Sequence, residues 1–406
     1  MQKSTRIANK YDKGAKAEKY IQNLAQSTFL LDWCYFNPKR ADGREICDLL
    51  IAFGSTAVIW QIKNRRLSTD GLHKEQDLRE NSRQLKGARR ILLNLDQPII
   101  LDNPLRGSEP FDPRQISEVF LISAMAGPNP YLKNSCDSIG SITASTGIVH
   151  IFTRNETKRI LSELDTISDF TCYLRAKEQL LTNKQQVKLF IDGDESDLLA
   201  MFLLEGRTFE RLLDSNFVAV QNGYWKSFVR SKRYRLGKEA DKVSYNWDMM
   251  IKKAHERYKY DNLETPGCYE IIAREMAKLN RFQRRCASEA LTDAIQNPNV
   301  GKRCFEIDGT TYCYWLDDQN VKREERVARL VFLCIVSRLK FGNLKVIGIA
   351  TESGRSALRS FDFCYHEVDE ITDEVINEAK EIQVKTGLLT NTTVRHERKT
   401  EYAAIP

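Results

Sequence analysis

Nowhere in its 406 residues does this chain carry an apolar run approaching the roughly 20 residues that a membrane-spanning helix needs. A helical membrane anchor is thereby excluded, and a soluble protein is expected. The opening residues, MQKSTRIANKYDKGAK, are basic and polar and lack the apolar core and cleavage site of a secretory leader, so the expected location is the cytoplasm. Ten cysteines are present, at 34, 47, 136, 172, 268, 286, 304, 313, 334 and 364, yet none stands in a CxxC pair. That scatter offers no zinc knuckle, and each reads as a reduced thiol acting as a small hydrophobe. The five histidines, His73, His150, His255, His366 and His396, show no HExxH or other paired metal spacing, and none reads as catalytic. No P-loop, no GxSxG and no glycine fingerprint follows a strand, which argues against ATP hydrolysis by this chain.

What is present is a modest excess of positive charge. Lys and Arg number 62 against 55 Asp and Glu, a net charge of +7, which suits a polyanionic partner without requiring one. Ala17, Ile21, Leu24 and Ala25 predict a helix over residues 14 to 28, and FLLDWCYF predicts a strand over 29 to 36. Two apolar runs follow, EICDLLIAF and TAVIWQIKN, separated only by Gly54 and Ser55, a Gly-X pair suited to a type II′ hairpin turn. Leu78, Leu85, Ala88 and Leu92 then mark an amphipathic helix, and four prolines between 98 and 113 interrupt regular structure. SEVFLISAMA and GIVHIFTR supply two more strands. These elements predict a first domain over residues 1 to 160, a mainly helical domain over 161 to 300, a small α/β domain over 301 to 390 and a flexible tail from 391 to 406.

The hairpin brings polar groups together. If Gly54 and Ser55 are the turn, Phe53 pairs with Thr56 and every cross-strand pair has the same sum, so Asp48 faces Gln61. Side chains alternate along a strand, so Lys63 shares that face. Leu50 and Ile59 on the same face are apolar, and the other face is apolar throughout, which makes these polar groups conspicuous. A structural ion pair is the alternative to a functional site.

These residues resemble a known family. Gly14 to Glu18 as GxxxE, then Asp48, a short hairpin and Gln61-Ile62-Lys63 look like the Mrr-type branch of the PD-(D/E)xK, restriction-endonuclease-like nucleases, in which QxK replaces the commoner D/ExK. The resemblance covers roughly residues 12 to 95. It implies an α/β fold with an αβββαβ core, a metal-dependent endonuclease acting on DNA, Mg²⁺ or Mn²⁺ as cofactor, and a role in defence against foreign DNA. Carried over residue by residue, it makes Asp48 a metal ligand, Gln61 an amide-oxygen ligand or positioner, the Ile62 carbonyl a further ligand and Glu18 an acid acting through water. Lys63 would steady the nucleophile or the transition state. Such chemistry suits the residue types, because hard divalent cations prefer oxygen ligands and an ammonium offsets phosphate charge. From its place beside the apolar stripe alone, Glu18 reads equally as a solvated flank residue.

Asn81 and Gln84 on the next helix could reach the same site, although a satisfied core amide is the commoner use of such a residue. Further along, YWKSFVRSKRYRLGK interleaves Lys226, Arg230, Lys232, Arg233 and Arg235 with aromatic residues, a mix suited to nucleic acid, with ordinary solvated charge as the alternative. A second cluster, Arg281, Arg284 and Arg285, could touch phosphate or pair with neighbouring helices. Because backbone chemistry is shared, RNA stays open as a substrate. A homodimer is expected if two copies of one site cut two strands. The rival functions are a nuclease-like fold that binds nucleic acid without cutting, and a subunit active only with a partner protein of a defence or repair complex.

Overall fold

The computed structural model describes residues 2–40, 42–64, 69, 73–95, 97–126, 140–144, 147–182, 188–215, 217–258, 268–297, 301–353, 360–397 and 399–401. Cys136, read above as a core thiol, lies outside the described residues. The fold is mixed α/β, and the chain divides into two compact units, Met1–Lys232 and Arg233–Pro406.

The first unit opens with a helix, α1 (Gln2–Phe29), and three strands, β1 (Cys34–Phe36), β2 (Leu49–Phe53) and β3 (Thr56–Lys63). Ala17, Ile21 and Ala25 recur at helical spacing on α1, and all three are buried. The strand expected over 29 to 36 is shorter, because Leu30 takes a left-handed φ of 65° and residues 31 to 33 coil into a 3-10 turn. Helix α2 (Glu75–Leu93) follows, then β4 (Ile99–Asn103) and β5 (Gly107–Phe111), a hairpin in the proline-rich stretch where no regular structure was expected. Pro110 is tolerated there because each strand of a two-stranded sheet is an edge, and an edge can spare an N–H.

Strands β6 (Glu118–Met125), β7 (Ser141–Ala144) and β8 (Gly147–Thr153) complete a six-stranded sheet in the order β1-β2-β3-β6-β8-β7. β1, β2 and β3 form an antiparallel meander, β3, β6 and β8 run parallel, and β7 returns antiparallel at the edge. Then come α3 (Arg154–Glu163), α4 (Ile167–Thr182), and a parallel pair β9 (Lys188–Ile191) and β10 (Phe217–Val220) with α5 (Glu195–Leu204) and α6 (Glu210–Leu213) between them, followed by α7 (Tyr224–Arg230). On one face of the large sheet, Leu50, Ile59, Leu121 and Val149 pack with Leu85, Ala88 and Leu92 of α2. On the other, Trp60 stacks on Phe170 of α4 at 5.7 Å, and Phe29 of α1 lies 5.1 Å from the same ring. With helices on both faces, β2 and β3 read as nearly unbroken apolar runs. Each such fully buried side chain contributes about 1.5–3 kcal/mol.

Helix α8 (Lys232–Asp241) leads into the second unit, which holds α9 (Tyr245–Tyr258), α10 (Cys268–Ala277), α11 (Arg281–Gln296), β11 (Lys302–Ile307), β12 (Thr310–Asp317), α12 (Arg323–Phe341), β13 (Lys345–Glu352), β14 (Phe361–Glu367) and α13 (Asp373–Thr386). The four strands form one sheet in sequence order, with β12 and β13 parallel through the α12 crossover and the outer pairs antiparallel. Asp308 and Gly309, at φ 49° and 72°, make the tight β11–β12 turn that two positive φ values require. Cys313, Leu330, Leu333, Cys334 and Val346 fill the space between the sheet and α12. On the opposite face Trp247 of α9 meets Tyr312 edge-on at 5.4 Å, and Tyr314 donates its hydroxyl to the Ala287 carbonyl of α11.

The division therefore differs from boundaries at 160 and 300. α4 covers the first sheet and α9 and α11 cover the second, so the stretch from 161 to 300 is shared between the two units, and it includes the β9–β10 pair. In the described part of the tail, Lys399 pairs with Glu289 at 2.9 Å and the Glu401 carbonyl accepts from Arg285 at 2.8 Å. Among the described residues no helix is long and apolar enough to cross a membrane.

Candidate active site

The site begins with the β2–β3 turn. Gly54 sits at φ 58°, a left-handed value that glycine adopts without strain, and Ser55 does not share it. Phe53 pairs with Thr56 and Leu49 with Trp60, the register expected from the sequence. The ladder ends at Leu49 and Trp60, and Asp48, one residue before β2, donates its own N–H to the Trp60 carbonyl at 3.2 Å, which holds it against the end of β3 beside Gln61. Gln61 donates from Nε2 to Asp48 Oδ1 at 2.8 Å, and the Ile62 N–H donates to Asp48 Oδ2. The N–H and C=O of one strand residue point to the same side, so the Ile62 carbonyl faces the same edge. Gln61 and Lys63 are half-buried, and they pair with Ser123 and Met125 of β6.

Asp48 is only 7% exposed. Burial pushes its carboxyl up to about 6, against the pull of the Ile62 N–H and of Lys63, and Glu45 pushes in the same direction as burial. Glu18, half-buried next to Ala17 on α1, lies within electrostatic reach of both Asp48 and Lys63; burial first and Asp48 second raise its pKa, and Lys63 opposes them. The four residues singled out by sequence are thus near one another, joined by hydrogen bonds at Asp48, Gln61 and Ile62 and by charge at Glu18 and Lys63. Glu45 was missed. It lies three residues before Asp48 on an exposed loop, where sequence pattern gives no sign that its carboxyl engages the aspartate.

The donor set suits a hard cation. The Asp48 carboxyl raises the pKa of Glu18, each Asp48 oxygen keeps a lone pair beyond the hydrogen bond it accepts, and Gln61, donating through nitrogen, keeps Oε1 as an acceptor. Acid side chains alone do not make the set: among the described residues, no group of three or more His, Cys, Asp or Glu side chains is arranged to hold a metal ion.

Asn81 is fully buried and donates to Ser123 Oγ at 2.5 Å, whereas Gln84 is exposed, so α2 turns the first to the core and the second to solvent. Lys226, Arg230 and Lys232 in the first unit and Arg233 and Arg235 in the second are exposed. Arg281, Arg284 and Arg285 are buried instead: Arg281 and Arg284 pair with Asp248 at 3.0 and 2.7 Å, and Arg285 pairs with Asp241 at 3.1 Å. They tie α11 to its neighbours rather than offering charge to a ligand. His150 lies fully buried in β8 against Glu178. Of the ten cysteines, Cys304, Cys313, Cys334 and Cys364 come together in the second unit, although they are far apart in sequence.

No family model, curated protein or solved structure matches the chain.

Proposed function

We propose that the first unit carries a metal-dependent endonuclease of the restriction-endonuclease-like kind, hydrolysing phosphodiester bonds of DNA. The observation that carries this reading is the pair of hydrogen bonds from Gln61 and Ile62 to opposite oxygens of a buried Asp48, with Lys63 on the same face and Glu18 in electrostatic reach. The order α1-β1-β2-β3-α2-β6, with β6 parallel to β3, is the order such an αβββαβ core requires, the β4–β5 hairpin being an insertion.

A bound Mg²⁺ or Mn²⁺ would activate water and offset phosphate charge, with Asp48, the Ile62 carbonyl and Gln61 Oε1 as its ligands and Glu18 acting through water. The chain's own part is positioning. Gln61 and Ile62 fix the plane of the Asp48 carboxylate, and a pKa of about 6 leaves that group ionised at neutral pH. Lys63 orients the attacking water and neutralises charge that accumulates on the phosphate oxygens in the transition state. Lys226, Arg230 and Lys232 supply exposed charge for sequence-independent backbone binding. A homodimer cutting both strands, and service with a partner protein in defence against foreign DNA, belong to the same proposal.

Incubating duplex DNA and RNA of matched sequence with wild type and Lys63→Ala, with and without Mn²⁺, tests it: metal-dependent cleavage of DNA by wild type alone is expected. Cleavage by the variant at the wild-type rate would refute the assignment of Lys63. The neutral amide at Gln61 favours a second reading, binding without cutting, which the same experiment separates by retained binding with no cleavage by either protein.

A further inference from the structure

Sulfur atoms line up across the sheet of the second unit. Register places Cys304 opposite Cys313, Cys313 beside Gly348, and Gly348 opposite Cys364, one row over all four strands on the face that α12 covers. Counting from the Asp308-Gly309 turn, Cys304 and Cys313 occupy a non-hydrogen-bonded pair, and their Sγ atoms are 3.3 Å apart. Cys334 descends from α12 and its Sγ lies 3.3 Å from that of Cys364. Gly348 makes room for both: a Cβ there would come within 2.5 Å of Cys364 Sγ and 2.6 Å of Cys334 Sγ. Cys313 also hydrogen-bonds with Cys334, so the four thiols form a string. Packing alone does not call for this, since any small apolar residue fills such space.

We propose that Cys364 and Cys334 form a redox-active dithiol in which the Cys364 thiolate attacks hydrogen peroxide and Cys334 closes the disulfide. Access selects the site of attack: Cys364 and Cys304, at the ends of the string, are half-buried, and Cys313 and Cys334 are fully buried. Charge then selects Cys364. His366 lies two residues along β14 on the same face, and the Cys334 thiol and His366 bring the Cys364 thiol down to about 7, whereas Cys304 is pushed up by its bond to Cys313 and by burial. The Cys364 thiolate takes one oxygen from the peroxide, giving a sulfenic acid and hydroxide. The Cys334 sulfur attacks that sulfur, its proton leaves with the displaced hydroxyl as water, and two electrons have passed from the thiols to the peroxide. Closing from 3.3 Å to the roughly 2.05 Å of a disulfide would cross-link α12 to β14. A pairwise string, rather than a tetrahedron around one point, favours this chemistry over thiolate ligation of a metal.

The test uses the full chain, reduced and freed of reductant, then treated with hydrogen peroxide, alkylated and mapped by peptide mass spectrometry. Expected is a cross-link between the Cys334 and Cys364 peptides, lighter by two hydrogens and reversed by dithiothreitol, with Cys364→Ser abolishing it. Cys334→Ser should let a sulfenic-acid probe capture Cys364, and His366→Asn should slow alkylation of Cys364 several-fold. Because the wild-type cross-link needs no variant, misfolding of a variant leaves the question decidable. Equal alkylation of both thiols with and without peroxide would overturn the proposal, as would one equivalent of Zn²⁺ bound by the reduced protein and shielding both thiols.

Discussion

The buried carboxyl of Asp48 should leave a measurable imprint on the pH dependence of stability. Its ordinary value of 3.8 is raised to about 6 in the fold, chiefly by burial, so the folded chain holds this proton more tightly than the unfolded one. A raised folded pKa contributes stability that is complete below the unfolded value and lost as pH climbs through the folded one. A shift of roughly 2 units at 1.36 kcal/mol each makes the loss about 3 kcal/mol between pH 4 and pH 7, with little screening at so buried a site. The perturbation is Asp48→Asn, neutral at every pH. Its amide opposes the Ile62 N–H, which costs a constant amount and leaves the slope alone. Denaturant unfolding of both full-length proteins across that range should give a wild-type-minus-variant difference that falls with rising pH and flattens above about 7. Glu18, raised partly by Asp48, adds in the same direction. Above pH 6, Mn²⁺ at a hundredfold excess over its dissociation constant should restore about 2.7 kcal/mol to wild type and nothing to the variant. A difference that stays flat or rises with pH, or equal stabilisation of both proteins by Mn²⁺, would refute the reasoning.

Three further outcomes are expected. Arg284→Ala, which unpairs Asp248 in part and strands the Leu279 and Ala277 carbonyls, should cost about 3–5 kcal/mol in denaturant unfolding, whereas loss of an exposed cation costs almost nothing. Lys226→Ala with Arg230→Ala should weaken DNA binding and lower the slope of log affinity against log salt by about 2, and an unchanged slope would show that α7 does not touch phosphate. Gly54→Val forces a branched residue into a left-handed turn and should lower stability by about 1–2 kcal/mol, read from thermal melting.

The grouping of these residues was legible because a two-residue hairpin fixes register by arithmetic: once Gly54 and Ser55 were the turn, Leu49 fell opposite Trp60, which brings Asp48 within a hydrogen bond of Gln61, and Lys63 followed from strand alternation. Local rules carried no further. The β4–β5 hairpin was hidden because proline was read as a breaker, and an edge strand tolerates it. β14, FDFCYHE, went unread because its weak alternation gains meaning only beside β13. The helical stretch between 160 and 300 looked uniform since helices patterned alike serve two different sheets. The cysteines were read one at a time, and no spacing rule joins Cys304 to Cys364 across four strands. Glu45 and the buried arginines of α11 likewise depend on what tertiary packing sets beside them.

Cleavage of supercoiled plasmid by purified full-length protein, with Mg²⁺, with Mn²⁺ and with chelator, beside Asp48→Ala, tests the central claim most directly. The account predicts nicked or linear product only with a divalent cation and only from wild type. Cleavage that survives Asp48→Ala or the chelator would contradict it.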